Sequence, residues 1–299
     1  MEMGTTVGAK TVTDAPGDRA GSGNEAGRVL VLLDGSRMSY AALEAAAEIA
    51  ARTGSDVLGV FVEELNLLRS AGYGFAREVG SASGISRPVD PTGLEQRMQR
   101  LANQARRALA NAVASYGGRQ TLSVARGHVI DEVLALAGPR DLLVLGRVGW
   151  SSAPGARLGS TAKGLVYRSP GRVLLWSESR TLPQGRVVVF LNDHEEANSR
   201  AIRAAAEAIR HSHQPVTLLL GSDFELPPED LKSIMQHLGV QEADLRVRSL
   251  PSTDPVSVVR VLREEKAVQL VLSRDCALLR DPGAEPLLIA LKLPVTVTP

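Results

Sequence analysis

Residues 141–176 read DLLVLGRVGWSSAPGARLGSTAKGLVYRSPGRVLLW, and this stretch decides the fold. It contains a continuous apolar strand, a loop with glycines at 146, 149 and 159, a short helix and a second apolar strand. Glycine allows the backbone to approach a ligand closely, and the N–H groups at the start of a helix favour an anion. The spacing G-x2-G-x9-G-S therefore predicts a loop that binds phosphate.

The residues before this stretch alternate apolar strands and amphipathic helices. Val29–Leu33 and Val57–Val62 are continuous apolar runs, and a helical pattern ending at Gly54 separates them. A strand, a helix and a further strand in this order predict a parallel sheet with a right-handed crossover. From Arg28 to Trp176 we count five strands and four helices, so the predicted fold class is α/β, with a doubly wound five-stranded sheet flanked by helices.

Asp34, Gly35 and Ser36 follow the first predicted strand directly. In doubly wound sheets, ligands bind outside the carboxyl ends of the strands, where the strand order reverses. If the first and fourth strands flank that point, Asp34 and the glycine loop face the same crevice.

The pattern of elements begins again after Gln184. With Arg28 aligned to Arg186, RVLVLLDGS lies over RVVVFLNDH at an offset of 158 residues. We therefore predict two tandem domains, residues 28–177 and 184–299.

The second copy lacks the features of the predicted site. Asn192 stands opposite Asp34, Ser273 opposite Gly146 and Cys276 opposite Gly149. No Gly-Ser pair opens its last helix, so we expect one phosphate site per chain.

The charge of the chain is nearly balanced, with 34 basic and 33 acidic residues and a formal net charge of +1. Such a balance gives no overall field toward nucleic acid or an anionic membrane, so an anion site must be local. Aromatic residues make up only 3% of the chain, which also disfavours nucleic-acid binding by the arginines of the helix predicted over 92–116. We interpret those arginines as solvated, and the single Cys276 as a small, semi-buried residue.

The first 27 residues contain no Leu, Ile, Phe, Tyr or Trp. This composition predicts a disordered tail over 1–27 and lacks the apolar run of a signal peptide, so we expect a cytoplasmic protein. No run of 18 apolar residues occurs in the chain, which predicts no membrane insertion.

An insert over residues 63–91 is longer than most connections between elements. Leu65, Leu68, Ala71 and Phe75 fit a short amphipathic helix, whereas residues 80–91 fit an irregular segment. The insert is either a lid over the carboxyl edge of the sheet or a packed excursion.

The chain resembles the universal stress protein family in a tandem two-domain form. The resemblance depends on DGS after the first strand, on the G-x2-G-x9-G-S spacing and on the flanking DLLVLG and final apolar strand. It implies a flavodoxin-like, or adenine nucleotide α hydrolase-like, fold for each domain. Because the ATP-binding branch of the family carries this signature, the resemblance also implies that the first domain binds ATP, with or without Mg²⁺.

The resemblance further implies a role for each matching position. The nucleoside would be contacted from the turn formed by Asp34, Gly35 and Ser36, and the adenine by Phe61. The base and ribose would be lined by Leu145 and Gly146. The phosphates would be held by Gly149, Gly159, Ser160 and Thr161. Arg147 and Arg157 would be local cations that neutralise phosphate charge, or side chains that are simply solvated.

The family also pairs subunits through the last strand of the domain. GRVLLW, residues 171–176, and PVTVTP, residues 294–299, are therefore candidates for pairing within one chain. A homodimer between chains is a further expectation, because an unpaired apolar strand invites association.

Two functions of different classes agree with these features. The first is an ATP-binding regulatory or stress-response protein whose nucleotide-dependent conformation is recognised by an unknown protein partner. The second is a scaffold that binds no nucleotide and acts through a dimer surface and the 63–91 insert. The sequence shows no Ser-His-Asp or Cys-His arrangement and no Walker A motif, so no catalytic residue is predicted and ATP hydrolysis is expected to be slow at most.

Overall fold

The structure is a computed structural model that describes residues 27–80, 83–147, 158–177, 185–210, 212–222, 224–280 and 284–299. The predicted tail lies outside the described residues except for Gly27, and so do Gly149 and Arg157. The boundary between the two predicted domains falls at residues 178–183, which also lie outside the described residues, and it stays a prediction.

The first half of the chain, residues 27–177, alternates strands and helices as predicted. Its strands are β1 (Val29–Leu33), β2 (Val57–Glu64), β3 (Arg77–Val79), β4 (Ser86–Pro88), β5 (Gln120–Gly127), β6 (Leu142–Gly146) and β7 (Arg172–Trp176). Its helices are α1 (Arg37–Thr53), α2 (Leu65–Ala71), α3 (Pro91–Ala114), α4 (Val129–Leu136) and α5 (Ser160–Arg168).

The second half, residues 185–299, repeats this order in a shorter form. Its strands are β8 (Arg186–Leu191), β9 (Val216–Leu220), β10 (Leu245–Ser249), β11 (Ala267–Ser273) and β12 (Val295–Thr298). Its helices are α6 (Glu195–Ile209), α7 (Pro228–Leu238), α8 (Pro255–Glu264), α9 (Ala277–Arg280) and α10 (Ala284–Ala290). A single 3₁₀ turn, Glu242–Asp244, precedes β10.

Both halves contribute to one ten-stranded sheet in the order β10-β9-β8-β11-β12-β7-β6-β1-β2-β5. Within each half the paired strands of this sheet are parallel, and β1 lies between β2 and β6, as the crevice hypothesis requires. The halves join where β12 pairs antiparallel with β7, with Val295 opposite Leu175 and Val297 opposite Val173. The predicted pairing of the last strands within one chain is therefore confirmed.

The two faces of the sheet are packed differently. On one face, a continuous apolar cluster runs through both halves, from Leu30 and Leu143 to Leu270 and Val297. On the other face, the cluster beneath α1 and α3 is separate from the cluster beneath α6 and α7. The seam between β7 and β12 is therefore covered by a shared core on one face and lies between two cores on the other.

The 63–91 insert contains more regular structure than the sequence indicated. Helix α2 confirms the predicted short helix. Strand β4, however, lies within residues 80–91, which we expected to be irregular, and it pairs with β3 in a small antiparallel hairpin. Each hairpin strand has only three residues, which is too short for an alternating pattern to be recognised. Helix α2 packs on α3 through Ala71, Leu94 and Met98.

Candidate functional site

The turn between β1 and α1 is held by its own side chains. Asp34 Oδ1 accepts a hydrogen bond from the Ser36 N–H at 2.9 Å, and Ser36 Oγ accepts one from the Ser39 N–H at 3.1 Å. The serine thereby caps the start of α1. Gly35 has a φ of 81°, in the left-handed region, which glycine adopts without steric cost. The turn therefore needs this glycine and presents Asp34 at the carboxyl end of β1.

Gly146 ends β6 beside the start of α1. A Cβ atom at this position would lie 3.0 Å from Met38 Cβ and 3.2 Å from the Met38 carbonyl carbon. Glycine therefore allows the chain leaving β6 to pass directly against the first turn of α1.

Helix α5 begins at the same edge of the sheet. Its N-cap, Gly159, donates a backbone hydrogen bond to the Arg147 carbonyl at 3.1 Å, which holds the two ends of the glycine loop together. The first N–H groups of a helix have no acceptor within the helix, so those at Ser160 and Thr161 are suited to an anion.

One cavity of about 480 Å³ brings these elements together. Eleven site residues were predicted, and Gly149 lies outside the described residues. The other ten all line the cavity: Asp34, Gly35, Ser36, Phe61, Leu145, Gly146, Arg147, Gly159, Ser160 and Thr161. The cavity opens at the carboxyl ends of β1 and β6, where the strand order reverses. We call it the carboxyl-edge cavity.

The remaining wall of the carboxyl-edge cavity comes from the insert and α3. Leu67 of α2 lines it together with Leu94, Met98 and Leu101 of α3. None of these four residues was assigned to a site from the sequence. Because Leu67 lines the cavity, α2 covers one side of it.

Arg97 also lines the cavity, although we had interpreted it as a solvated arginine. Its side chain is half exposed and lies 3.5 Å from the Glu78 carboxylate of the hairpin. Its position three residues after Leu94 and one before Met98 was the available signal, because both neighbours face the cavity.

Arg147 lines the cavity, but its guanidinium group is bonded to the second half of the chain. It is 7% exposed, and its Nη1 and Nη2 atoms donate to the carbonyl oxygens of Leu288, Leu291 and Leu293, at the end of α10. Burial lowers the pKa of Arg147 to about 10. Both terminal nitrogens are thus committed to the second half, and we no longer assign Arg147 to phosphate neutralisation. Within the described residues its Nε, which is buried, has no hydrogen-bond partner.

Arg274 makes the matching contact in the opposite direction. It follows Ser273, which stands opposite Gly146 in the repeat. Its guanidinium donates to the carbonyl oxygens of Tyr167 and Ser169, both at 2.8 Å, at the end of α5. Each half therefore holds a helix end of the other half through an arginine that follows its fourth long strand.

Two further ionisable groups are influenced by, or belong to, the cavity lining. Burial, and then the negative charge of Asp34, raise the pKa of Tyr40. Glu64 lines the cavity and accepts hydrogen bonds from the N–H groups of Asn66 and Val129, so it joins the starts of α2 and α4. Among the described residues, no group of three or more His, Cys, Asp and Glu side chains is arranged to hold a metal ion.

The fold is shared with solved universal stress proteins. A universal stress protein from Archaeoglobus fulgidus DSM 4304 aligns with 91% of this chain and 95% of its own, at 16% identity and a TM-score of 0.65. A protein of Pseudomonas aeruginosa UCBPP-PA14 assigned to the same family aligns with 92% of this chain and 93% of its own, at 15% identity and a TM-score of 0.60. A comparison with curated proteins gave no significant match.

The sheet order and the crevice between β1 and β6 define an α/β protein of the doubly wound class, with the fold of these neighbours. The model of the universal stress protein family matches residues 25–176, which is half of the chain. The chain therefore belongs to the universal stress protein family. In the part of the chain that the structure describes, we find no helix long and apolar enough to cross a membrane.

Proposed function

We propose that this protein binds ATP in the carboxyl-edge cavity and acts as a regulatory or stress-response protein through that binding. The observation that carries the proposal is the convergence of ten predicted site residues on one cavity at the start of α5. The volume of about 480 Å³ lies within the range of about 300–1,000 Å³ found for small-molecule sites.

The residues of the cavity fit the parts of a nucleotide. Phe61, Leu101 and Met98 supply an apolar region for a base, and Asp34 supplies an acceptor for the hydroxyl groups of a sugar. The start of α5 supplies N–H donors for phosphate. Arg97 is the cation that we propose in place of Arg147, since it lines the cavity from the opposite wall.

A ligand in this cavity would influence the surface of the protein through the insert, which lines the cavity and carries exposed residues. Leu67 of α2 lines the cavity, and α2 has a small apolar contact with α3 beneath it. A ligand that contacts both helices stabilises their packing, because binding to the folded arrangement alone favours it. Tyr73 and Phe75 follow α2, stack with their ring centroids 5.3 Å apart and are 57% and 82% exposed. We propose that the ordered insert is the surface that a protein partner recognises.

Titration of the purified chain with ATP, in the presence and absence of Mg²⁺, tests the proposal. The decisive variant is Gly159→Val. Among the described residues, a Cβ at Gly159 would meet the Arg147 carbonyl oxygen alone, at 3.7 Å, so we expect the fold to tolerate the change while the cavity loses space. We expect ATP affinity to fall at least about thirtyfold, which corresponds to about 2 kcal/mol.

Gly74→Val is the matched control, because a Cβ at this exposed position meets no described residue within 4 Å and Gly74 does not line the cavity. We expect its ATP affinity to equal that of the wild type. Nucleotide that co-purifies with the wild-type chain should be found by mass spectrometry and be lost from Gly159→Val.

The second candidate function is that of a scaffold without nucleotide. Four large apolar side chains of the insert are exposed, which is the observation in its favour: Tyr73, Phe75, Val79 and Ile85. Absence of ATP binding by the wild-type chain, or equal binding by Gly159→Val, would refute the first proposal and leave this one. A homodimer between chains and a cytoplasmic location stay predictions.

A further inference from the structure

A second cavity, of about 640 Å³, lies at the opposite edge of the first half's strands. It is formed where the carboxyl end of α1 approaches α6, near the amino ends of β1 and β6 and the end of β12. This is the face on which the cores of the two halves are separate. We call it the seam cavity.

The seam cavity concentrates positive charge. The first half contributes Arg28, Arg52, Arg140 and Arg172. The second half contributes Arg200, Arg203 and Arg210. Among the described lining residues, Glu207 is the only acidic side chain, although the whole chain has a formal net charge of +1. Like charges gathered in one concave site repel each other, and a bound anion relieves that repulsion.

Some of these arginines are already neutralised within the fold. Arg28 forms an ion pair with Asp141 at 2.8 Å, and Arg172 forms one with Glu207. Arg203 and Arg210 are exposed and form no ion pair with any residue that the structure describes. Arg52 has only a 4.0 Å contact with Glu48, one turn earlier on α1. The cavity therefore keeps positive charge that the protein does not balance locally.

A buried hydroxyl gives an independent indication of a ligand. Thr298 lines the seam cavity and is 1% exposed, and its Oγ1 has no hydrogen-bond partner among the described residues. Buried polar atoms are normally paired, so an unpaired hydroxyl at a basic cavity suggests a polar group that the protein itself does not supply.

We propose that the seam cavity binds a small anion that carries two or more linked phosphate groups. Guanidinium groups form paired hydrogen bonds with phosphate oxygens, and arginine is preferred where such recognition matters. Arg203 and Arg210 are seven residues apart on α6, a separation of about 10 Å along a helix axis. A single phosphate does not span that distance, whereas a phosphate chain does. Arg52, at the end of α1, lines the same cavity, so the ligand would contact arginines of both halves.

Calorimetric titration of the full chain with sodium tripolyphosphate at low salt tests the proposal. We expect Arg203→Gln combined with Arg210→Gln to weaken binding at least about tenfold, because the two changes remove the cations without ion pairs on α6. The matched control is Arg107→Gln combined with Arg263→Gln, two exposed helical arginines outside the cavity, and we expect it to bind as the wild type does. Binding should also weaken as salt concentration rises.

Tripolyphosphate could also enter the carboxyl-edge cavity, so the titration is repeated in the Gly159→Val chain, where we expect it to persist. Equal binding by the two double variants, or its loss in Gly159→Val, would overturn the proposal without affecting the test of ATP binding. Equal affinity for orthophosphate or for poly-glutamate would overturn the assignment to linked phosphates.

An ATP titration identifies the source of the phosphate chain. A second equivalent of bound ATP that disappears in Arg203→Gln with Arg210→Gln would show that the seam cavity takes a nucleoside triphosphate. A single equivalent in both chains, together with tripolyphosphate binding, would show that it takes inorganic polyphosphate.

Discussion

The two halves of the chain have the same turn after their first strand, but the polar groups of the two turns make different hydrogen bonds. In the first half, Asp34 closes the turn through the Ser36 N–H and lines a cavity. In the second half, Asn192 closes the same turn through the His194 N–H at 3.0 Å. Asn198 then occupies both the N–H and the carbonyl of Asn192 with its side-chain amide. The Asp34 N–H likewise donates to Ser39 Oγ, at 3.4 Å, so the difference between the two turns is the side-chain donor that Asn198 supplies to the Asn192 carbonyl.

The fourth long strands of the two halves, β6 and β11, also differ at the residue that ends them. Gly146 lets β6 pass against Met38, whereas Ser273 places a buried side chain at that point, and its hydroxyl accepts from the Asp275 N–H at 3.2 Å. The arginine that follows is present in both halves and reaches across the seam in both. The contact between the halves is therefore a feature that both share.

Breaking the seam contacts should give the largest effect on stability. Arg147→Met leaves the carbonyl oxygens of Leu288, Leu291 and Leu293 without their donor, and we expect a loss of about 3–5 kcal/mol. Arg274→Met removes the donor from two carbonyl oxygens at a less buried position, and we expect about 1–3 kcal/mol. Urea unfolding of both variants measures the difference. Equal losses would contradict the assignment of Arg147 as the stronger contact.

The buried carboxylate of Asp141 should give an intermediate effect that depends on pH. Burial acts to raise the pKa of Asp141, but hydrogen bonds from Arg28 and the Gly138 N–H outweigh it and place that pKa below its ordinary value. Its contribution is therefore fully present above the unfolded pKa of about 3.9 and is lost as pH falls through the folded pKa. We expect Asp141→Asn to lose about 2–3 kcal/mol at pH 7, because the change removes the charge of a buried carboxylate from its ion pair with a half-exposed arginine.

Urea unfolding at pH 7 and at several values below pH 4 checks this expectation, since the difference between wild type and variant should shrink with acid. Glu265→Gln is the counterpart in the second half, where bonds from Arg248 and Thr217 outweigh burial and also lower the pKa of Glu265. A difference for Asp141→Asn that stays constant with pH would show that geometry rather than charge is responsible.

Substitutions in the turn after the first strand should change stability less than those at the seam or at Asp141. Gly35→Ala places a Cβ at a left-handed position and 2.8 Å from Leu101 Cδ2, so we expect a loss of about 1–2 kcal/mol. Asp193 stands at the equivalent position and is exposed, and we expect Asp193→Ala to change stability by less than about 0.5 kcal/mol. Thermal unfolding compares them. Similar losses would mean that the two turns carry the same strain.

Much of the fold could be predicted because its signals are local and periodic. The strands of the large sheet are continuous apolar runs, and the glycines at the ends of α1 and β6 occupy positions that need them. The repeat at an offset of 158 residues identified the second half, and the resemblance to a family that pairs through its last strand suggested β7 and β12 as partners. These features depend on residues that are close in sequence or on a pattern that occurs twice in the chain.

Only the site residues at the strand ends and at the start of α5 could be predicted from the sequence. Arg97 and Leu67 were missed because their place at the cavity depends on how α2 and α3 pack over the strand ends. Arg147 was misassigned because its partners are carbonyl oxygens about 140 residues later in the chain, and backbone carbonyls leave no trace in a sequence. The seam cavity was invisible for the same reason, since its arginines come from both halves.

The antiparallel pairing of β7 with β12 makes the association of the two copies a unimolecular event. Separate subunits would meet with a probability set by their concentration, whereas two copies on one chain have a high effective concentration at any expression level. Identical subunits would also carry every substitution twice. A single chain escapes that constraint, so its two halves can carry different residues at equivalent positions, as Asp34 and Asn192 do.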